Sequence, residues 1–226
     1  MIRLLAILSF TLVAATTSQA ASDEFEREAV IEYLLRNPDV IIEAIDRFDA
    51  ARAAERITAN RDALFDTPGD PVVGNREGAV ALVEFTDYNC PYCRAMLPVM
   101  QRLLAEEPEL RIIYKEMPIL APESWYAAQV ALEADAQGKY REFHEAMFGV
   151  GARTEAIVNT VAELVGVDLN GVDLSIYDAR INANLALGQD LGTNGTPTYV
   201  IGERMLVGEV GYEALKQAIA AELAAQ

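Results

Sequence analysis

Ala79-Val80-Ala81-Leu82-Val83-Glu84-Phe85-Thr86-Asp87-Tyr88-Asn89-Cys90-Pro91-Tyr92-Cys93 is the stretch on which the reading of this chain turns. Its first half, Ala79 to Thr86, is an apolar run of strand length. After the cysteines, Arg94-Ala95-Met96-Leu97-Pro98-Val99-Met100-Gln101-Arg102-Leu103-Leu104 spaces its apolar residues as a helix does. The pattern predicts a strand, a short loop and a helix that starts at the cysteines. Pro91 suits a first helical turn, where its missing N–H costs nothing. Cys90 then sits at a helix N-terminus, where unpaired N–H groups and the positive end of the helix dipole favour a thiolate.

Both cysteines of the chain lie in this motif. A bridge between them closes so short a loop that chain entropy gives it roughly 2 kcal/mol before strain. Such a pair serves chemistry better than it serves the fold: it can accept and donate a disulfide. Cys90 reads as the exposed attacking sulfur and Cys93, one turn further in, as the resolving thiol. A zinc site needs about four ligands. The chain offers these two sulfurs and a single histidine, His144, so a zinc site would have to be shared between chains.

A second element stands near the C-terminus, Gly195-Thr196-Pro197-Thr198-Tyr199-Val200-Ile201. A proline just ahead of a β-rich apolar run can only start a strand or sit at an edge or turn. Together with the cysteines it resembles the thioredoxin superfamily, in which a cis-proline lies against the redox pair. That resemblance implies a cis Thr196–Pro197 bond, with Thr196 and Pro197 holding the backbone of an extended substrate.

The chain is more closely similar to the DsbA-like periplasmic thiol:disulfide oxidoreductases, over about residues 68 to 224. Three pieces carry the likeness: Val83 to Cys93, Tyr114-Lys115-Glu116-Met117-Pro118-Ile119-Leu120, and Ala183-Asn184 through Leu191 to Thr198. The likeness implies an α/β architecture, a thioredoxin fold with a helical insertion. It makes Glu84 a buried acid beneath the redox pair that accepts a proton from Cys93. Val83 and Phe85 agree, since a Glu inside an apolar strand needs a reason. Two positions depart from the strongest oxidants of the family. Tyr92 replaces a His between Pro91 and Cys93, which implies a less oxidising pair. Thr196 replaces a Val and looks more like the residue of disulfide isomerases.

The N-terminus reads as a cleavable secretory signal over residues 1–20: Arg3, the apolar run Leu4 to Ala15, then Ser18-Gln19-Ala20. The apolar run is too short to span a membrane, although an uncleaved anchor is the alternative. Export implies an oxidising compartment, the periplasm. The formal charge of −17 argues against nucleic acid and anionic membrane surfaces as partners.

Residues 21–65 have another texture and are expected to form a helical stalk. Phe25, Val30 and Leu34, then Ile41, Ile45 and Phe48, recur at near-helical spacing around a restart at Asn37-Pro38. The segment resembles the N-terminal helices of trimeric disulfide isomerases of the copper-sensitivity-suppressor type. A short apolar helical pair cannot form its own core, so residues 23–62 are expected to self-associate, a trimer by the resemblance; docking on the catalytic domain is the alternative. Thr67-Pro68-Gly69-Asp70-Pro71 marks a linker. A catalytic domain is expected over 66–226, with strands at 79–86 and 110–116, a helical insertion at about 122–190, a hairpin around Gly202 and a closing helix from Tyr212 to Leu223.

His144 reads as a satisfied, partly buried histidine and Trp125 as a packing residue. Lys115 could pair with Glu84 or sit exposed at a strand end. Met117 to Leu120 could edge an apolar groove or simply fill the core. The function expected is thiol–disulfide exchange on unfolded or misoxidised exported proteins, as oxidation, isomerisation or both. A membrane redox partner would recharge the pair, and no metal or organic cofactor is needed beyond the Cys90–Cys93 disulfide. A rival from another class is an oligomeric holdase in which the cysteines are incidental.

Overall fold

The computed structural model describes residues 26–150 and 154–225. The expected export signal, residues 1–20, and Phe25 lie outside the described residues. The chain divides into two compact units between Asp49 and Ala50. In the first, helix α1 (26–36) ends where the Asn37 side chain turns back to donate to the Tyr33 carbonyl at 2.8 Å. Asn37 therefore closes the helix before Pro38, at the restart that the sequence predicts. Helix α2 (Asp39–Ala59) follows. Val30, Leu35, Ile41 and Ile45 are exposed, an unusual density of large apolar side chains for one short segment.

The second unit begins inside α2, ahead of the linker signal. Ile57 and, on the short helix α3 (Arg61–Phe65), Leu64 are completely buried. They pack with Val83, Phe85, Val200, Leu187 and Leu191. Burying two such side chains contributes about 1.5–3 kcal/mol each. Residues 50–65 thus have a core contact that the Ala-rich texture of Ala50 to Arg56 does not advertise.

A five-stranded sheet forms the centre, in the order β1-β3-β2-β4-β5. The strands are β1 (Val72–Gly74), β2 (Val80–Thr86), β3 (Leu110–Glu116), β4 (Thr198–Ile201) and β5 (Arg204–Val207). β2 and β3 run parallel, joined by helix α4 (Pro91–Glu106), and the other pairs are antiparallel. The three-residue β1 has too few residues for an alternation to show and was not foreseen. Gly202, at φ +56°, makes the β4–β5 turn in a conformation that suits only glycine.

Between β3 and β4 stand α5 (Pro122–Ala136), α6 (Tyr140–Gly149), α7 (Glu155–Val165), a 3₁₀ turn (Leu174–Tyr177) and α8 (Asp178–Leu191). Helix α9 (Gly211–Ala225) closes the chain. This is a thioredoxin fold with a helical insertion. One sheet face, with Leu82, Ile112, Tyr114 and Tyr199, packs under α4 and the insertion. The other, with Val83, Phe85, Ile113 and Val200, is covered by Ile57, Leu64 and α8. Strand alternation assigns each residue of β2 and β3 to one of these faces.

Candidate active site

Cys90 caps α4 in extended backbone geometry (φ −79°, ψ 117°), with Pro91 opening the first turn. Its Sγ lies 3.0 Å from the Thr196 carbonyl oxygen and donates to it. The Thr196–Pro197 peptide is cis. β4 pairs with β2 from Phe85↔Thr198 to Leu82↔Ile201, which brings the proline loop against the start of α4. Thr198 Oγ1 donates to the Gly195 carbonyl at 2.8 Å, and the Gly208 N–H donates to the Pro197 carbonyl at 2.8 Å. The loop is thus held at both ends.

The two sulfurs sit in different surroundings. The Cys90 thiol is lowered to about 6, chiefly by the hydrogen bond from Cys93, helped by the Thr196 side-chain hydroxyl and the Cys93 and Tyr92 N–H groups; burial opposes this. Cys93 is 1% exposed, and burial pushes its thiol far up, reinforced by the Cys90 contact and by Glu84. Cys90 is itself only 4% exposed, not the exposed sulfur expected, because the Thr196–Pro197 loop lies against it; what separates the two sulfurs is that Cys90 is held as a thiolate and Cys93 as a thiol, the division a dithiol exchanger requires. Tyr92, between them, is 56% exposed and available to a partner chain.

Glu84 is 2% exposed on β2, which removes the possibility of a solvated strand face. Burial, then Glu116 and Cys90, raise its carboxyl to about 8. The consequence for stability follows from linkage. The folded chain keeps a proton that the unfolded chain loses above about pH 4.5, so stability falls as pH rises from there to about 8. Glu84→Gln removes that loss. In urea titrations of the reduced protein, the variant is expected to match the parent at pH 4.5 and to be more stable by about 3 kcal/mol at pH 7. A difference independent of pH would contradict it.

Lys115 does not meet Glu84. In the β2–β3 register Glu84 lies beside Tyr114, so Lys115, beside Phe85, points to the opposite sheet face. There it is 1% exposed and pairs with Asp70, also donating to the Ala63 carbonyl at 2.5 Å. Arg180 reaches the other Asp70 oxygen at 2.9 Å. His144 is fully packed among Tyr88, Tyr114, Tyr140 and Phe148, and burial lowers it to about 3. Trp125 donates to Asp178 at 2.8 Å and packs on the α5–α8 contact. The Met117–Leu120 stretch is split: Met117 is buried in the core, whereas Ile119 and Leu120 are exposed.

Asp87 is the organiser that sequence reasoning missed. It is 1% exposed. One carboxylate oxygen accepts from the Ile119 and Leu120 N–H groups at 2.8 and 2.9 Å. The other accepts from the Asn89 N–H and the Ser124 hydroxyl, both at 2.7 Å. The Cys90 N–H donates to the Asp87 carbonyl at 3.0 Å. One side chain therefore ties the cysteine loop to the Ile119–Leu120 lip and to the start of α5. The local signal was an Asp two residues before an Asn ahead of a helix, an Asx turn.

Among the described residues no group of His, Cys, Asp and Glu is arranged to hold a metal ion, and no helix is long and apolar enough to cross a membrane.

A thioredoxin-like oxidoreductase from Silicibacter pomeroyi shares 41% identity with the chain, at a TM-score of 0.70 over 74% of this chain and 99% of that one. A linker-deletion variant of Proteus mirabilis ScsC superposes on 92% of this chain and 97% of its own, with 27% identity and a TM-score of 0.73. Among curated relatives, a Na(+)/H(+) antiporter NhaA of Salinispora arenicola is 30% identical over 191 residues, 79% of this chain. The chain spans only 29% of that relative's length. The sequence model of the DSBA-like thioredoxin domain matches residues 81–220. With the cysteine pair at the head of α4, the proline loop beside it and the helical insertion all within that span, the chain belongs to the DSBA-like thioredoxin domain family.

Proposed function

We propose that this protein is a periplasmic thiol:disulfide oxidoreductase acting on exported proteins through Cys90 and Cys93. The observation that carries the reading is the asymmetry of the pair: a thiolate-prone Cys90 at the helix N-terminus, 3.0 Å from the Thr196 carbonyl, over a buried, protonated Cys93. In the oxidised form a substrate thiolate attacks Cys90 Sγ. A substrate–Cys90 disulfide forms, the Cys90–Cys93 bond breaks, and Cys93 leaves as a thiolate that takes a proton from Glu84. A second substrate thiolate then attacks the substrate sulfur, making the substrate disulfide and expelling Cys90 as a thiolate. Isomerisation starts from the reduced pair: Cys90 attacks a wrong bridge, and either the substrate's own thiol or Cys93 ends the mixed disulfide. Thr196 and Pro197 hold the extended substrate, with Tyr92, Ile119 and Leu120 offering apolar surface around it. A membrane partner returns the pair to its working state.

The exposed apolar side chains of α1 and of α2 before Ala50 favour one direction over the other. Self-association through this segment, as a trimer by the likeness to ScsC, would bring several cysteine pairs to one substrate and so favour isomerisation. The test is reactivation of a scrambled-disulfide protein. A deletion reaching residue 62 would remove Ile57 and uncover the sheet, so substitutions are preferable. Ile41→Asn with Ile45→Asn is expected to convert the oligomer to monomer in sedimentation and to cut reactivation by about tenfold or more, because the substrate then meets one pair at a time. Dithiol oxidation of a simple peptide should be unaffected. A monomeric parent, or reactivation that survives in the monomer, assigns the protein to oxidation.

A further inference from the structure

Glu116, at the end of β3, is 1% exposed and has no task in the exchange cycle described above. A carboxyl is not buried without cost unless its surroundings hold it. Strand alternation puts Glu116 on the same face as Tyr114. The parallel register sets Tyr114 beside Glu84 and Glu116 beside Thr86. Glu84 and Glu116 are therefore diagonal neighbours on the face beneath α4. Glu116 Oε1 accepts from the Tyr140 hydroxyl at 2.8 Å and from the Tyr88 hydroxyl at 3.1 Å. Its Oε2 is buried without a partner, and so are Glu84 Oε2 and Thr86 Oγ1 on the same face.

Behind Glu116 the network continues. The Tyr88 oxygen lies 3.1 Å from His144 Nδ1. With the Tyr88 proton directed at Glu116, the neutral imidazole carries its hydrogen on Nδ1 and donates it to Tyr88. The Asn184 side chain donates to the Glu116 backbone carbonyl at 3.1 Å and fixes the strand end. Around the Glu116 carboxyl stand Asp87 and Tyr88 from the loop after β2, Tyr114 from β3 and Tyr140 from α6, with His144 of α6 behind Tyr88. Around Glu84 stand Cys90, Cys93, Tyr114 and Tyr199, and Arg141 and Glu145 of α6 act on Tyr114 from its other side. Ionising either Glu84 or Glu116 makes the other harder to ionise, because both carboxyls are buried and like charges repel.

We propose that Glu116 is a positioning residue of the redox site: anchored by the Tyr88 and Tyr140 hydroxyls diagonal to Glu84, it acts through Glu84 to set the pH at which Cys93 can release its proton. The inference rests on the exchange reaction proposed above. In the resolving step the Cys93 proton passes to the Glu84 carboxylate. Cys93 Sγ bonds to Cys90 Sγ, and the partner sulfur leaves Cys90 as a thiolate. Electrons balance within the sulfurs, and the proton ends on Glu84. Burial raises both carboxyls to about 8, with Glu116 adding to the effect at Glu84. Taking away the Glu116 charge makes Glu84 ionise at lower pH.

The test uses the full mature chain carrying glutathione on Cys90. Stopped-flow release of glutathione by Cys93 is followed from pH 5 to 10, beside carbon-13 titration of the Glu84 carboxyl. The midpoint of the release profile and the Glu84 titration are both expected to move down by about one pH unit or more in Glu116→Gln, which keeps an oxygen for the two tyrosines. Tyr140→Phe, which weakens the hold on the Glu116 charge, should move them in the same direction by less. It serves as the second variant if the first does not fold. A folded variant of either kind with unmoved midpoints overturns the proposal. If the parent itself does not expel glutathione through Cys93, the exchange reading fails instead, and the two failures are told apart.

Discussion

Cys90→Ser is expected to abolish thiol–disulfide exchange, with oxidation of a dithiol peptide falling on the order of a thousandfold or more to the background of the free redox buffer. The loss is this large because a serine hydroxyl neither ionises near neutral pH nor forms a bond to sulfur. Cys93→Ser should behave differently. Cys90 can still attack, but the buried thiol that would expel the partner is gone, so covalent complexes with client proteins should accumulate on non-reducing gels. The pH dependence separates the two sulfurs further. With the Cys90 thiol lowered to about 6, its alkylation in the reduced protein should rise with pH through a midpoint near 6 and level off above it. At pH 7 about nine-tenths of Cys90 is then thiolate, against a few per cent of a free thiol. A midpoint near the free-thiol value would remove the distinction between the sulfurs. Exchange that survives Cys90→Ser would remove the mechanism. Client protection that survives loss of both cysteines would support the holdase reading.

Asp70→Asn is expected to cost about 3–5 kcal/mol of stability, because it leaves the Lys115 ammonium buried without its counter-ion. Asp70 is 6% exposed and joins three stretches far apart in sequence: its own linker, β3 through Lys115, and α8 through Arg180. Burial lowers the Lys115 ammonium while Asp70 holds it up. Without the carboxylate the lysine must either stay charged in a dry site or give up its proton. Arg180 is part-exposed and can turn to water, so most of the penalty falls on Lys115. Thermal unfolding should drop by roughly 10 °C for a domain of this size. The double replacement of Asp70 by Leu and Lys115 by Met should recover most of the loss, since apolar groups of similar volume replace a buried pair at little cost. If Asp70→Asn alone is harmless, water reaches the pair and it is not structural.

Much of this architecture was written in local patterns. The strand at 79–86, the helix beginning at Cys90, the strand at 110–116 and the run of insertion helices follow from hydrophobic period and from proline and glycine placement. The cysteine pair at a helix start was legible in one short motif, while the buried place of Glu84 and the cis Thr196–Pro197 loop came from the resemblance to the DsbA-like proteins. What escaped was set by register and by distance. Whether Lys115 faces Glu84 depends on which residue of β3 lies beside Glu84, and no local pattern states that. Asp87 stood in the quoted stretch without a role because its N–H donors at Ile119 and Leu120 come from another turn of the chain. Ile57 and Leu64 belong to the sheet's second face, although the alanines before them suggested a solvated stalk. Glu116 sat in a quoted motif without a role, since the tyrosines that hold it lie on α6 and in the cysteine loop.

The alternation of β3 has a consequence for how this protein can vary. Lys115 and Glu116 are consecutive, yet one serves the linker face and the other the redox face. Inserting or deleting a single residue in the strand would exchange them. The ammonium would arrive under the thiols, and a second acid would arrive beside Asp70, with only the part-exposed Arg180 left to meet the two of them. Changes of length in this family member should therefore be confined to loops, because β3, with six of its seven residues buried, has no position that could absorb a shift of frame.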